Sequence, residues 1–532
     1  MKKTISLLLI GTMIIMSGCG TKSTANKVSA LDVPESRIKV DDKQPSWKTD
    51  TKDAKLSWFV NADWWNTKYG EDAVTSKMKE DLKLDVEFQA GNEEVLNTKF
   101  ASGEIPDIVT VFNGSSVIDK ASSWALPLND LADKYDPYFY QVADKEVMNW
   151  YAIDGKTYGY PSFYNTQKDY DKKVLFGTEA FVVRKDIYEA IGSPDLSTPE
   201  NVIEAAKKAK QLYPKVASLG SGAFGTGTGS WGETLQDLLG TPVQVDGKFY
   251  DRNADPEYLK WVKAFNEIYK LGGIPDDTFS DDEQIVAEKL SKGNYFMFVQ
   301  AGIPQAQVPL QKWYAANPGK QYIAVDGPKD SKKSKPLLSQ GGLGGWSVTY
   351  ISKKCKDPQK AIELFTYMMS PYGRMVTSFG IEGKHYDLNS DGKAVIRPEI
   401  IKLRDENPDK FFAEYRFDDV WMFMVDTFRA EHGVVNETPA VTQMFDWTKD
   451  KLVPRFEMEN INPDPGSIDA RNSTNIYQNF ATTLLSMVRA KDDNEYNSVW
   501  QAHLKFREAN GWDNIVKIAN EKIASNLKKL GK

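Results

Sequence analysis

Leu56-Ser-Trp-Phe-Val60, Leu84-Asp-Val-Glu-Phe88 and Asp107-Ile-Val-Thr-Val-Phe112 are three short runs rich in β-branched and aromatic residues, a composition that suits a pleated, half-buried surface. Between them, Glu71 to Leu82 and Glu93 to Ala101 carry the spacing of helices. Strand, helix, strand, helix, strand is the grammar of a mostly parallel sheet covered by helices, because parallel neighbours need a long crossover.

A second set follows a Tyr/Lys/Asp-rich segment around Tyr164 to Lys173. Phe181-Val-Val-Arg184 reads as a strand leading into a helix at Asp186 to Ile191. Ser197 and Glu200 have capping-box spacing, with Pro199 suited to the first turn of the next helix. Helical Asp282 to Ser291 precedes the strand Tyr295-Phe-Met-Phe-Val-Gln300, and Trp346-Ser-Val-Thr-Tyr-Ile351 follows a glycine-rich approach. Asp357-Pro358 caps a helix with Ala361, Ile362, Phe365, Met368 and Met369 on one face. From Pro398 to Lys532 the stretches are long, polar and helix-like. The fold class is α/β, in two lobes, with a long helical C-terminal part.

The chain opens with Lys2 and Lys3, an apolar stretch from Ile5 to Met16, and Ser17-Gly18-Cys19-Gly20. These are the parts of a secretory signal. As a helix the apolar stretch would reach about 18 Å, too short for a hydrocarbon core of about 30 Å. Residues 1–18 are expected to be removed. Residues 19–54, rich in Lys, Ser, Thr, Asp and Pro, are expected to form a flexible tether.

At 532 residues, two or more lobes are expected. Its 14 Trp, 24 Tyr and 25 Phe exclude a disordered chain. A formal charge of -7 argues against a nucleic-acid partner, which would call for a basic surface. The three histidines, His385, His432 and His503, lack zinc-binding spacing. Cys355 is the second of only two cysteines, so no disulfide is expected once Cys19 is modified.

Ser17-Gly-Cys19 resembles the lipobox of bacterial lipoproteins, with Met16 where Leu is usual. With Ala101-Ser-Gly-Glu-Ile-Pro-Asp-Ile-Val109, Asp154-Gly-Lys-Thr-Tyr-Gly-Tyr-Pro161 and Arg184-Lys-Asp186, it resembles extracellular solute-binding protein family one. Gly341-Gly342, Asp357-Pro-Gln-Lys-Ala361 and Gly380-Ile-Glu-Gly-Lys-His-Tyr386 look like its long LipO-type branch of sugar-binding lipoproteins. The resemblance implies a periplasmic-binding-protein-like (Venus flytrap) clamp, held by acylated Cys19 on the extracellular face of a bacterial cell membrane. It would bind an oligosaccharide and deliver it to ABC-transporter permease subunits, as a monomer, without a cofactor. The lobes are expected to comprise 55–178 plus 341–398 and 179–340 plus 399–532, with crossings at Thr178 to Phe181, Leu337 to Gly341 and near Pro398.

Sugars have an apolar face and a hydroxyl rim, so their sites need flat aromatics beside planar amides. Ligands of α/β sheets sit outside the carboxyl ends of strands. That rule selects Asn61, Trp64 and Trp65 after the first strand, Phe112 and Asn113 at the third, Gln300 in the second lobe, and Trp346. Trp231 is added for its glycine-rich surroundings, Gly220 to Gly232. Because Trp64 and Trp65 are adjacent, one is expected to pack. Trp150, Trp261, Trp313, Trp421, Trp447, Trp500 and Trp512 are assigned to packing.

Some members of the branch resemble calcium binders through an acidic loop, but Lys207 to Leu219 contains no acidic residue, and no metal is expected there. Asp387 to Gly392 starts like an EF-hand loop, yet its twelfth position is Pro398, so a hairpin turn is expected. The competing function is a surface-anchored glycosidase or lyase; an oligopeptide receptor is a third. Cys19→Ser protein should remain unprocessed or be shed into the medium. Detergent-dependent membrane attachment of that variant, with no labelled lipid on the wild type, would refute the anchor.

Overall fold

The strand Ala54–Val60 pairs in parallel with Leu84–Ala90 on one side and with Ile108–Phe112 on the other, as the opening pattern requires. Two further strands complete this five-stranded sheet. Ser347–Ile351 runs antiparallel between Ile108–Phe112 and Gly159–Ser162, so a late segment is inserted among early ones. The computed structural model describes residues 32–222, 231–434 and 439–532; Cys19, the segment 1–18 and the beginning of the tether lie outside the described residues.

A four-stranded sheet has the order Tyr322–Ala324, Glu179–Arg184, Tyr295–Ala301, Ala217–Ser221. Both of its faces are covered. Phe181, Val183 and Val299 pack with Trp261, Phe265, Leu484 and Met487, while Val182, Tyr295 and Phe298 pack with Trp313, Met444 and Phe445. Burial on two faces explains why Tyr295-Phe-Met-Phe-Val299 shows no polar alternation. The helix Pro439–Thr448 lies against the edge strand Tyr322–Ala324. There the Gln443 side chain accepts from Ala324 N at 2.7 Å and donates to Ala324 O at 2.9 Å, completing an otherwise open edge.

The N-terminal expectation needs correction. Residues 36–54 are not a free tether but lie on the first lobe: Trp47 is buried edge-on against Tyr367 at 5.0 Å, and Ser46 Oγ donates to Tyr135 O at 2.6 Å. Arg37 binds Asp50 and, at 2.8 Å, Asp357. Lys360, fully buried, reaches Asp50 at 3.1 Å and Glu363 at 3.3 Å, and donates to Leu82 O at 2.8 Å. All twelve residues of the helix Pro358–Met369 are therefore buried, not one apolar face alone. Its polar side is covered by the 36–54 strap, which supplies the opposite charges. A single Trp and a pair of well-placed charges are enough to order a segment whose average composition looks disordered.

Other boundaries also shift. Thr198, not Ser197, caps the helix Pro199–Leu212, because Pro at the first helical position fixes the cap one residue before it. The last crossing comes later than Pro398: Trp421 and Phe423 pack on Phe112 and Phe365, and Gly433 bridges to Ala394, so the chain stays with the first lobe through residue 433. The expected turn after Asp387 is present as a hairpin of Tyr386–Leu388 with Ala394–Ile396. Among the described residues no helix is long and apolar enough to cross a membrane.

Removing one partner from a buried charge cluster leaves the others uncompensated, at a cost of roughly 3–5 kcal/mol. Lys360→Met should lower the stability measured by urea unfolding by about that amount, whereas Lys52→Met, at the exposed rim of the same cluster, should change it by less than about 1 kcal/mol.

Candidate functional site

The ends of four first-sheet strands open on one edge, since Phe112, Ser347 and Ser162 are register partners there and Asn61 follows Val60. A cavity of about 430 Å³ sits at that edge, lined by Asn61, Glu93, Asn97, the turn Phe112 to Ser116, and Pro465-Gly466. Pro465 and Gly466 lead into the helix Ile468–Arg489, which packs on Pro256–Lys270 of the second lobe. The cavity thus takes its walls from both lobes.

Glu93 organises the floor. Its carboxylate accepts from Asn61 Nδ2 at 2.9 Å, from Ser115 Oγ at 3.0 Å, and from Ser116 N and Oγ at 3.0 and 2.9 Å. The residue stands at the first position of the helix Glu93–Ser102, which Asn92 caps, so its charge also complements the helix dipole. Asn113 Nδ2 donates to Gly344 O at 2.9 Å and to Gly345 O. These bonds leave the Asn61 amide oxygen, serine hydroxyl lone pairs and the Asn97 amide as the main side-chain polar groups facing a guest, around the charge of the hydrogen-bonded carboxylate.

Beside the cavity runs an aromatic cluster. Trp346 is 44% exposed and lies 4.8 Å from Phe112 and 4.9 Å from Trp421. Trp421 is buried, stacked on Phe112 at 6.0 Å and 17°. Trp64 is 59% exposed, whereas Trp65 is buried edge-on against Phe88 and donates through Nε1 to Asp419 O at 3.1 Å. The adjacent pair divides as expected, one ring outward and one packed.

The segment that carries Trp421 is bent tightly. Arg416, Asp418 and Phe423 all have left-handed backbone conformations, uncommon for residues with side chains. Arg416 holds Asp419, Arg429 holds Asp418, and Thr67 donates to Asp419 at 2.7 Å, which pins the bend.

Trp346 is placed by the loop Gly341 to Gly345. Glu459 accepts from Leu343 N at 2.8 Å and Gly344 N at 2.6 Å. A side chain at Gly342 would overlap the Glu459 carboxylate, and one at Gly345, where φ is +60°, would overlap Ser162 O. Glu459 is itself supported from the C-terminal helix Trp512–Lys529, whose Asn526 donates to Glu457 O and Glu459 O. A carboxylate from the helical C-terminal part therefore grips the loop that enters the first sheet.

The structure thus gathers Asn61, Trp64, Trp65, Phe112, Asn113 and Trp346 at one edge. Two sequence-selected residues lie elsewhere. Trp231 is 1% exposed in the second-lobe core, stacked on Phe265 at 5.4 Å, because the helix Trp231–Leu238 begins there and turns its first ring inward. Gln300 is buried and folds its amide back onto Ala301 O at 2.6 Å. Sequence reasoning missed Glu93, read only as part of a helix, and Trp421, assigned to packing. Six consecutive apolar residues, Val420-Trp-Met-Phe-Met-Val425, were the available signal that this stretch is not a polar surface helix.

No protein-family model matches the chain, and no curated protein is similar to it at the sequence level. Solved structures do resemble it. An extracellular solute-binding protein from Bifidobacterium longum subsp. infantis superposes with a TM-score of 0.66 at 13% identity, over 90% of this chain and 99% of that one. The alginate-binding protein AlgQ2, without calcium ion, gives 0.62 at 16% identity over 90% and 100%. The S. pneumoniae ABC-transporter substrate binding protein FusA in complex with kestose gives 0.61 at 15% identity over 88% and 99%. The shared feature is the two-lobed α/β fold.

Glu459 and Glu363 give the molecule a pH signature. Burial pushes Glu459 up to about 7, against the pull of the Gly344 and Leu343 N–H groups, and pushes Glu363 up to about 8 despite Lys360. Glu179, buried beside Asp237, moves in the same direction. From pH 7 to 8.5 the folded protein thus retains protons that the unfolded chain, with glutamates near their ordinary 4.5, has already released. These carboxyl groups therefore contribute a loss of stability as pH rises through their folded-state values. His385 and His503, held down to about 4 by burial, change little in this window. Melting temperature should decline from pH 7 to 8.5, and less steeply in Glu363→Gln and Glu459→Gln; a flat wild-type profile would contradict the assignment.

Proposed function

We propose that this chain is the solute-binding component of a carbohydrate ABC importer. An acyl chain on Cys19 anchors it to the extracellular face of the bacterial cell membrane, and it hands an oligosaccharide to permease subunits as a monomer. The observation that carries the reading is the juxtaposition, on the first lobe, of exposed indoles at Trp64 and Trp346 with an amide- and hydroxyl-lined cavity that Pro465-Gly466 closes from the other side. Flat apolar rings match the C–H face of a pyranose, and the amides match its rim. Asn61, Trp64, Phe112 and Trp346 are the proposed contacts, with Asn113 setting the glycine loop and Trp421 backing the rings. Trp65, Trp231 and Gln300 take structural roles in this reading.

Two points favour binding over hydrolysis. Glu93 is the only carboxylate among the lining residues, whereas glycoside hydrolysis uses a pair. Its oxygens are also committed to four hydrogen bonds. Ligand held by both lobes stabilises the closed arrangement, so binding and closure are linked.

Calorimetry with the best ligand from a glycan array tests this. Trp346→Ala should weaken binding by about 1–3 kcal/mol with a small change in melting temperature. Trp231→Ala should destabilise the fold by roughly 3–5 kcal/mol and leave the affinity of the folded fraction intact. Unchanged affinity in Trp346→Ala, or products released from the glycan, would refute the proposal.

A further inference from the structure

The hydrogen-bond inventory of the cavity goes beyond a general carbohydrate site. Asn61 Nδ2, both serine hydroxyls and Ser116 N are spent on Glu93, and Asn113 Nδ2 is spent on the glycine loop. Ser115 N donates to Phe112 O. Of the side-chain donors in the lining, Asn97 Nδ2 is the one without such a bond among the described residues; the Ser116 hydroxyl lies 3.2 Å from Asn97 Oδ1, but its single proton serves the nearer Glu93 carboxylate. Lys, Arg and His are absent from the lining, and its single charge is negative.

The surroundings do not reverse that balance. The N-terminus of the helix Glu93–Ser102, otherwise a seat for an anion, is occupied by the protein's own Glu93 and Glu94. Beyond Gly466, the helix Ile468–Arg489 is capped by Ser467 and carries Asp469 in its first turn. Lys522, the cation beside Pro465, is paired with Asp464 at 2.7 Å. Arg416, behind the aromatic cluster, is paired with Asp419 at 2.7 Å.

We propose that this cavity selects uncharged saccharides and excludes uronates, because its one fixed charge is the Glu93 carboxylate, its side chains present mainly acceptors, and the donors left unspent among the described residues, the Asn97 amide and the Gly114 and Gly466 N–H groups, are uncharged. A sugar hydroxyl can donate to the amide and hydroxyl oxygens and can accept from the unspent N–H groups. A uronate carboxylate has only acceptors, meets no cation among the described lining residues, and is repelled by Glu93 across a partly dehydrated space. Glu93 is both a positioning residue, holding Asn61 and the Ser115-Ser116 turn, and the source of the discrimination. The inference rests on the carbohydrate reading above but commits it to one class of glycan.

The test uses the full chain on an array of neutral and uronate-containing glycans, followed by calorimetry on the best neutral glycan and its counterpart with one uronic acid. The counterpart should bind at least about tenfold more weakly. Glu93→Gln should narrow that ratio several-fold. Asn97→Lys, which places a cation at the exposed rim and leaves the bonds to Glu93 in place, should narrow it independently if Glu93→Gln fails to fold. Uronate binding as tight as neutral binding, or a ratio unmoved in the folded variants, overturns this inference and leaves the carbohydrate reading standing. Failure of every glycan to bind overturns both.

Discussion

The strand Ser347–Ile351 is central in its sheet, so both of its backbone edges must find partners or leave buried amides unpaired. It finds them in strands laid down far earlier: Thr349 meets Thr110 across 239 residues, and Ser347 meets Ser162 across 185. Everything between Ser162 and Ser347 is therefore a detour that must return to a fixed slot. The second sheet is built within that detour. The connection back to the first is the glycine loop that ends at Trp346.

That return also explains why polar contacts cluster where they do. The loop carries backbone N–H and C=O groups that no strand pairs, and they are taken by Glu459, Asn113, Asn165 and Tyr151. Glycine is needed there for space as much as for conformation, since carboxylate and carbonyl oxygens approach where a Cβ would stand. The outcome is a rigid mount for an exposed indole. On the far side of the first lobe, the Arg37, Asp50, Lys360 and Glu363 cluster does comparable work, trading charge desolvation for a strap that seals the polar face of a buried helix.

The cavity follows from the same geometry. Strand ends expose unpaired groups and short turns, and here Glu93 gathers the donors of one turn onto itself. A carboxylate that saturates its neighbours' donors leaves acceptors outward, so the character of the site is set by what the protein's own side chains have consumed.

The order of the elements was legible in the sequence because it is a local matter. Hydrophobic runs separated by helical spacing identified the strands at 54–60, 84–90, 108–112, 179–184, 295–301 and 347–351 to within about two residues. The strand-end rule likewise located Asn61, Phe112, Asn113 and Trp346, because each is one step beyond or at the edge of such a run. What sequence could not decide was anything that depends on a partner distant in the chain. Gly159–Ser162 and Tyr322–Ala324 are too short to show periodicity and are strands only because a neighbour pairs with them. Trp231 and Gln300 sat in loop-like or strand-end positions, yet their neighbours enclose them. Trp421, some 310 residues from Phe112, and Glu459, more than a hundred from Gly344, acquired their roles from packing alone. Periodicity records which face a residue turns, whereas the identity of what it meets there is fixed only when the whole chain has closed on itself.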